Sequence, residues 1–140
     1  MKKVAHINLA NGMRGGENQT LALLETLYSL QDNSFEHILV CRHDSMIETI
    51  AYSKGIKTLA IKKPFLFSTT RLKEFDFMHV HEGRSGLLAL CVNYIYKVPY
   101  LITRRIPNMP RENYLTQLKY KKARLIVSLS HKIDEVIKTY

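Results

Sequence analysis

Short apolar runs alternate with longer amphipathic ones along this chain. Val4–Leu9 is apolar and β-branched and runs out at Asn11-Gly12, which predicts a strand followed by a loop. Across Glu17–Leu30 the apolar positions fall at Leu21, Leu24, Leu27 and Tyr28, a helical stripe stopped by Gln31-Asp32-Asn33-Ser34. His37–Cys41 predicts a second strand. Ser45–Lys54 predicts a second helix with Met46, Ile47, Ile50 and Ala51 on one face and Gly55 as its C-terminal stop. Lys57–Ile61 predicts a third strand, Pro64–Thr70 an irregular stretch, and Arg71–Phe75 one helical turn. Phe77–Val80 reads as a fourth strand. Ser85–Tyr96 is apolar on nearly every side, so it predicts a helix buried by more than one neighbour. Tyr100–Thr103 is the fifth strand, entered at Pro99. Arg111–Lys122 is a helix with Tyr114, Leu115 and Leu118 inward, and Leu125–Leu129 is the sixth strand. Ser130 caps a last helix carrying Ile133, Val136 and Ile137.

Strands alternating with helices in this way imply an α/β fold. The expectation is a single Rossmann-like, doubly wound domain over residues 1–140, with about six parallel strands and helices on both faces. Ligands of such a sheet bind outside the carboxyl ends of the strands, near the switch point between the first and fourth strands. Three loops therefore matter: 10–16, 81–85 and 104–110.

Composition changes this picture little. Hydrophobic residues at 46% and charged residues at 24% are ordinary for a globular chain, and 140 residues suffice for one core. The longest apolar run, Leu87–Val92, is far short of the roughly 20 residues that cross a bilayer. His6, Asn8, Asn11 and Gly12 interrupt any signal-peptide core, so a cytoplasmic location is expected. Cys41 and Cys91 are expected to be buried thiols; their spacing suits neither a disulfide scaffold nor zinc. Charge matters more. The formal net charge is +9, and residues 97–140 hold 10 Lys/Arg against 3 Asp/Glu. Such a flank attracts polyanions. Nucleic acid is not expected among them, because no zinc-finger spacing, aromatic RNP strand or helix-turn-helix is visible.

Candidate chemistry sits in the three loops. Gly15-Gly16 directly precedes a helix, where glycine lets backbone approach a ligand and the helix N-terminus favours an anion. A plain turn entering a helix explains the pair equally well, and neither the dinucleotide fingerprint nor the P-loop pattern is present. In His79-Val80-His81-Glu82-Gly83 the two histidines share a strand face. His79 reads as a core histidine. His81, nearer the ligand edge, reads as a catalytic group able to donate a hydrogen bond to a substrate hydroxyl. The pair and one acid are too few ligands for zinc, so no metal is assigned. Arg104 and Arg105 leave the fifth strand with forks suited to phosphate or carboxylate, a solvated charge pair being the plain alternative. Glu82, Arg84 and Arg111 are assigned to the same patch, while His6, Arg14, His43 and His131 have no evident partner.

Taken together, Gly15-Gly16-Glu17, His79-Val80-His81, Pro99–Arg105 and Ala123–Ser130 resemble the N-terminal domain of family 4 glycosyltransferases, in order and across essentially the whole chain. The resemblance implies the acceptor-side half of a GT-B enzyme. Such an enzyme moves a sugar from a nucleotide-sugar donor to a cell-envelope glycan or lipid-linked acceptor, with retention of configuration and without metal or other cofactor. It further implies that Gly16 lies beside the donor diphosphate, that His81 contacts the transferred sugar, and that Arg104 and Arg105 face an anionic acceptor. The basic flank would touch the anionic inner face of the membrane. The family's donor-binding domain, with its paired glutamates, has no counterpart in residues 1–140, so this chain alone is expected to be inactive. The rival expectation is a non-catalytic Rossmann-like module that binds an anionic ligand or a protein partner.

Overall fold

β1 (Lys2–Asn8) is the central seam of the sheet, with β2 (Phe35–Arg42) on one side and β4 (Phe77–Val80) on the other. β3 (Thr58–Ile61) extends the sheet beyond β2, while β5 (Tyr100–Arg104) and β6 (Leu125–Ser128) extend it beyond β4. The order is β3-β2-β1-β4-β5-β6, and every pairing is parallel. The computed structural model describes all residues except Pro107, Met109, Arg111 and Tyr140.

Alternation along β1 divides the molecule into layers. Ala5 and Ile7 face one side and join Val40, Met78, Val80, Tyr100 and Ile102 in a buried cluster. That cluster is closed by α3 (Thr69–Leu72), α4 (Ser85–Tyr96) and Tyr120 of α5 (Tyr114–Lys122). On the opposite side Leu39 and Cys41 pack with Leu21 and Leu24 of α1 (Gly15–Ser29) and with Ile47 and Ala51 of α2 (Met46–Ser53). The last helix is α6 (His131–Ile137). The expected doubly wound α/β domain with helices on both faces is the observed one.

Local signals hold where a side chain can satisfy them nearby. Ser45 caps α2 by accepting from Glu48 N, and Ser130 caps α6 by accepting from Ile133 N. Gly55, at φ 73°, ends α2 in the left-handed region that glycine tolerates. The strand Phe77–Val80 and the helix Ser85–Tyr96 have the expected bounds. Several expectations fail. The stretch 64–70, expected to be irregular, holds a 3-10 turn over Phe65–Ser68 and the start of α3, and Met46, expected on the apolar face of α2, is exposed. On α5 the expected inward residues Tyr114 and Leu115 are exposed, and Tyr120 is buried instead. Cys91 is only half-buried, whereas Cys41 is fully buried and its thiol is pushed up to about 12 by burial. Among the described residues no helix is long and apolar enough to cross a membrane.

Candidate functional site

β1, β4 and β5 end at one rim, and the segments leaving them enclose a cleft of about 510 Å3. Gly15 and Gly16 open α1 on one wall, His81 and Glu82 follow β4 on the floor, and Arg104 and Arg105 close β5 on the other wall. The six therefore line one cavity at the switch point between β1 and β4. Arg84 lies in an adjoining depression of about 830 Å3 that shares Arg14, Glu82, Arg104 and Lys119 with the cleft. Arg111 lies outside the described residues. Another hollow, of about 610 Å3, sits at the far end of the strands beside Lys3, Tyr52 and Arg71. No helix N-terminus lines it, whereas the rim cleft has both α1 and converging cations, so the chemistry is assigned to the rim.

The first turn of α1 supplies N–H groups that the helix itself leaves unpaired. Glu17, though buried, is not a ligand group: its Oε2 accepts from Arg14 N at 2.9 Å and so closes the helix start. Gly16 is crossed by the Arg105 stem, and a Cβ built there would meet Arg105 Cδ at 3.9 Å, an ordinary contact.

Glu82 was expected to bind substrate. Its carboxylate is instead consumed by the fold: Oε1 accepts from Leu9 N at 3.2 Å, from Ser85 N at 2.8 Å and from the Ser85 hydroxyl, and Oε2 accepts from Arg84 N at 2.7 Å. It ties the end of β1 to the start of α4. A carboxylate with this many backbone donors already matched gains little from a sugar hydroxyl.

His81 is 3% exposed, with both ring nitrogens engaged, Nδ1 to Arg105 Nη2 at 3.1 Å and Nε2 to His6 Nδ1 at 3.1 Å. In this arrangement it has no donor left for a substrate hydroxyl, and it lines the cleft beside Arg105. Burial first, then His79, His6 and Arg105, hold its pKa well below the ordinary imidazole value, so it is neutral. His79, expected to be a core histidine, makes a 2.7 Å hydrogen bond with Thr103 Oγ1, and burial brings its pKa to about 4.

Arg105 stitches three segments together. Its Nε donates to Gln19 Oε1 at 2.6 Å, and its Nη1 donates to the His81 carbonyl at 2.9 Å. Arg104 Nη1 donates to the Tyr120 hydroxyl at 2.6 Å and its Nη2 to the Asn108 carbonyl, while its Nε is buried with no hydrogen-bond partner among the described residues. An orphaned donor on a cation at the rim suits an anion. Lys119, from α5, adds a third cation whose pKa is lowered by burial and then by Arg104. Gly86 makes room for it, because a Cβ there would fall 2.1 Å from Lys119 Cδ.

Sequence reasoning missed Lys119, Tyr120, Gln19 and His6. The first three come from helix faces whose direction only packing sets. His6 was left without a partner, yet β1 pairs with β4 so that His6 stands opposite His79. That register supplies the third imidazole that the metal reading lacked: ligand atoms of His6, His79 and His81 lie within 4.8 Å of one another. A cation between His6 and His81 would need a lone pair from each, which places the His81 proton on Nδ1, against Arg105. The arrangement suits hydrogen bonding better than coordination.

No protein-family model and no curated protein matches the chain. Solved structures do. HepE of Anabaena in complex with UDP-glucose superposes with a TM-score of 0.82 at 10% identity, over 99% of this chain and 40% of that one. The lipopolysaccharide outer core galactosyltransferase WaaB in its apo form gives 0.69 at 18%, over 99% and 42%. A Listeria monocytogenes protein described as a candidate UDP-N-acetylglucosamine 2-epimerase gives 0.67 at 16%, over 99% and 42%. The chain thus spans about two fifths of the length of these structures. What it shares with them is a six-stranded parallel α/β fold of Rossmann-like type.

Proposed function

We propose that the rim cleft is the acceptor-side half of a GT-B glycosyltransferase site, one that receives a nucleotide-sugar's phosphates at its edge and an anionic glycan or lipid-linked acceptor in its floor. One observation carries the reading. The glycine turn that opens α1 and the cations Arg104, Arg105 and Lys119 face a single cavity at the switch point of the sheet. Fold likeness to a UDP-glucose complex and to a lipopolysaccharide galactosyltransferase supports it. In this reading transfer retains configuration, and the leaving diphosphate is stabilised largely by a donor-binding half that residues 1–140 do not include, so this chain alone turns over negligible donor. The basic flank is further proposed to touch an anionic membrane surface through the exposed Lys97, Lys121, Lys122 and Arg124, which lie at the end of the sheet opposite the cleft. Sedimentation with anionic vesicles should be abolished by high salt; equal binding to neutral vesicles would remove that part of the proposal.

Gly16→Ala tests the cleft. The added methyl meets only ordinary contacts, so the melting temperature should hold. A phosphate seated against that backbone should lose affinity by about tenfold or more. Calorimetric titration with inorganic pyrophosphate and UDP-glucose measures both ligands, and affinities unchanged by the substitution would end the reading.

A specific observation favours a second reading, an anion-binding module without chemistry: the hydrogen-bonding groups of His81 and Glu82 are already committed within the fold. In an assembled transferase, His81→Ala should lower turnover more than acceptor affinity. In a binding module it should lower affinity alone.

A further inference from the structure

Four imidazoles occupy the sheet face beneath α1: His6 on β1, His37 on β2, and His79 and His81 on β4. Three of them form a hydrogen-bonded chain whose direction is set from one end. A guanidinium only donates. Arg105 Nη2, 3.1 Å from His81 Nδ1, therefore needs a lone pair on that atom. Neutral His81 must carry its proton on Nε2 and donate it to His6 Nδ1 at 3.1 Å. His6 in turn keeps its proton on Nε2 and donates to His37 Nδ1 at 3.0 Å. Burial, then His79 and His37, bring the His6 pKa to about 3, so it too stays neutral with one proton to place. His79 stands beside the chain, its ring 3.9 Å from that of His81 and its Nε2 bonded to Thr103.

We propose that His6 and His37 are positioning residues for Arg105: by accepting hydrogen bonds in succession they hold His81 in the single tautomer whose Nδ1 anchors the guanidinium across the cleft. His37 is the solvent end of the chain, half-buried beside a shallow depression of about 210 Å3. Around it stand the Tyr28 hydroxyl of α1, which donates to its carbonyl at 2.8 Å, Asp32 from the turn before β2, Met1, His6, and the paired Glu36 and Lys57. A proton added at His37 Nδ1 sets a donor against the His6 Nε2–H and breaks the chain at that link. The Arg105 anchor then loses its one-way support. The inference concerns the ligand-free chain and stands whichever anion the cleft receives.

Side-chain 15N spectra of the 140-residue chain test it. Near neutral pH, His81, His6 and His37 should each show an unprotonated Nδ1 and a protonated Nε2. Arg105→Ala, two imidazoles away from His37, should convert both His6 and His37 to tautomer mixtures. His37→Gln, which still offers His6 an acceptor, should preserve the His81 signature, and His37→Leu should not. On acidification the Arg105 side-chain resonances should move with the His37 midpoint. An Nδ1-protonated His81 in the wild-type chain, or His6 and His37 unmoved by Arg105→Ala, would overturn the proposal. So would stoichiometric zinc binding that shifts His6, His79 and His81 together, in favour of a metal site.

Discussion

Lowering the pH from about 7 to about 5 is expected to remove about 4 kcal/mol of folding stability through His6 and His79 alone. His6 has a folded pKa of about 3, His79 of about 4, and His81 lies well below its ordinary 6.5. Between pH 6.5 and those values the unfolded chain binds a proton at each site and the folded chain does not. Unfolding then takes up protons, so stability rises with pH across this window and falls on acidification. His81 adds in the same direction. The size depends on the unfolded side chain, because the folded imidazoles of His6 and His79 stay neutral throughout. Each contributes about 1.4 kcal/mol per pH unit, or about 2 kcal/mol by pH 5. Domains of this size have about 5–15 kcal/mol in total, so acid unfolding should begin near pH 5. Urea midpoints across the range measure the slope, and His6→Gln should reduce it by about 1.4 kcal/mol per pH unit. A midpoint that stays flat from pH 7 to pH 5 would show that these imidazoles are not buried neutral.

Tyr100→Ala should cost about 3–5 kcal/mol, the range for deleting a buried aromatic ring. Tyr100 is fully buried between β5, α4 and α5, and its hydroxyl donates to the Lys119 carbonyl at 2.5 Å. That carbonyl belongs to the last turn of α5, where no helix partner exists. Tyr100→Phe keeps the ring and orphans the carbonyl, so it should cost about 1–2 kcal/mol. The two variants separate packing from the hydrogen bond. Tyr100→Phe should also weaken pyrophosphate binding, because the same residue of α5 carries its ammonium into the cleft. Thermal and urea unfolding give the stabilities. Equal losses in the two variants would mean that the ring itself contributes little.

Periodicity and caps determined the elements. An apolar pair in alternation makes β4, an all-round apolar segment makes α4, and Ser45 and Ser130 start helices because their hydroxyls reach a backbone N–H three residues on. Each of these forces acts within a few residues, so each is visible in a linear string. The switch point followed as well, since parallel strands with helices between them place their ligand edge by handedness alone. Gly15, Gly16, Arg104 and Arg105 could be assigned to that edge from their position at element ends.

Tertiary structure decided the rest. The inward face of α5 is set by the need to lay Tyr120 against the cluster under β5 and to bring Lys119 over Gly86; its own polar, basic sequence has no stripe that marks a face. His6 lies 75 residues from His81, and only the parallel register of β1 with β4 makes them neighbours. Three donors to Glu82, Arg84 N, Ser85 N and the Ser85 hydroxyl, lie within three residues of it and were locally available; only the fourth, Leu9 N, comes from laying the end of β1 beside the start of α4. Local sequence fixes which elements form, because capping and periodicity are short-range. Which polar atoms remain free for chemistry depends on contacts made across the sheet.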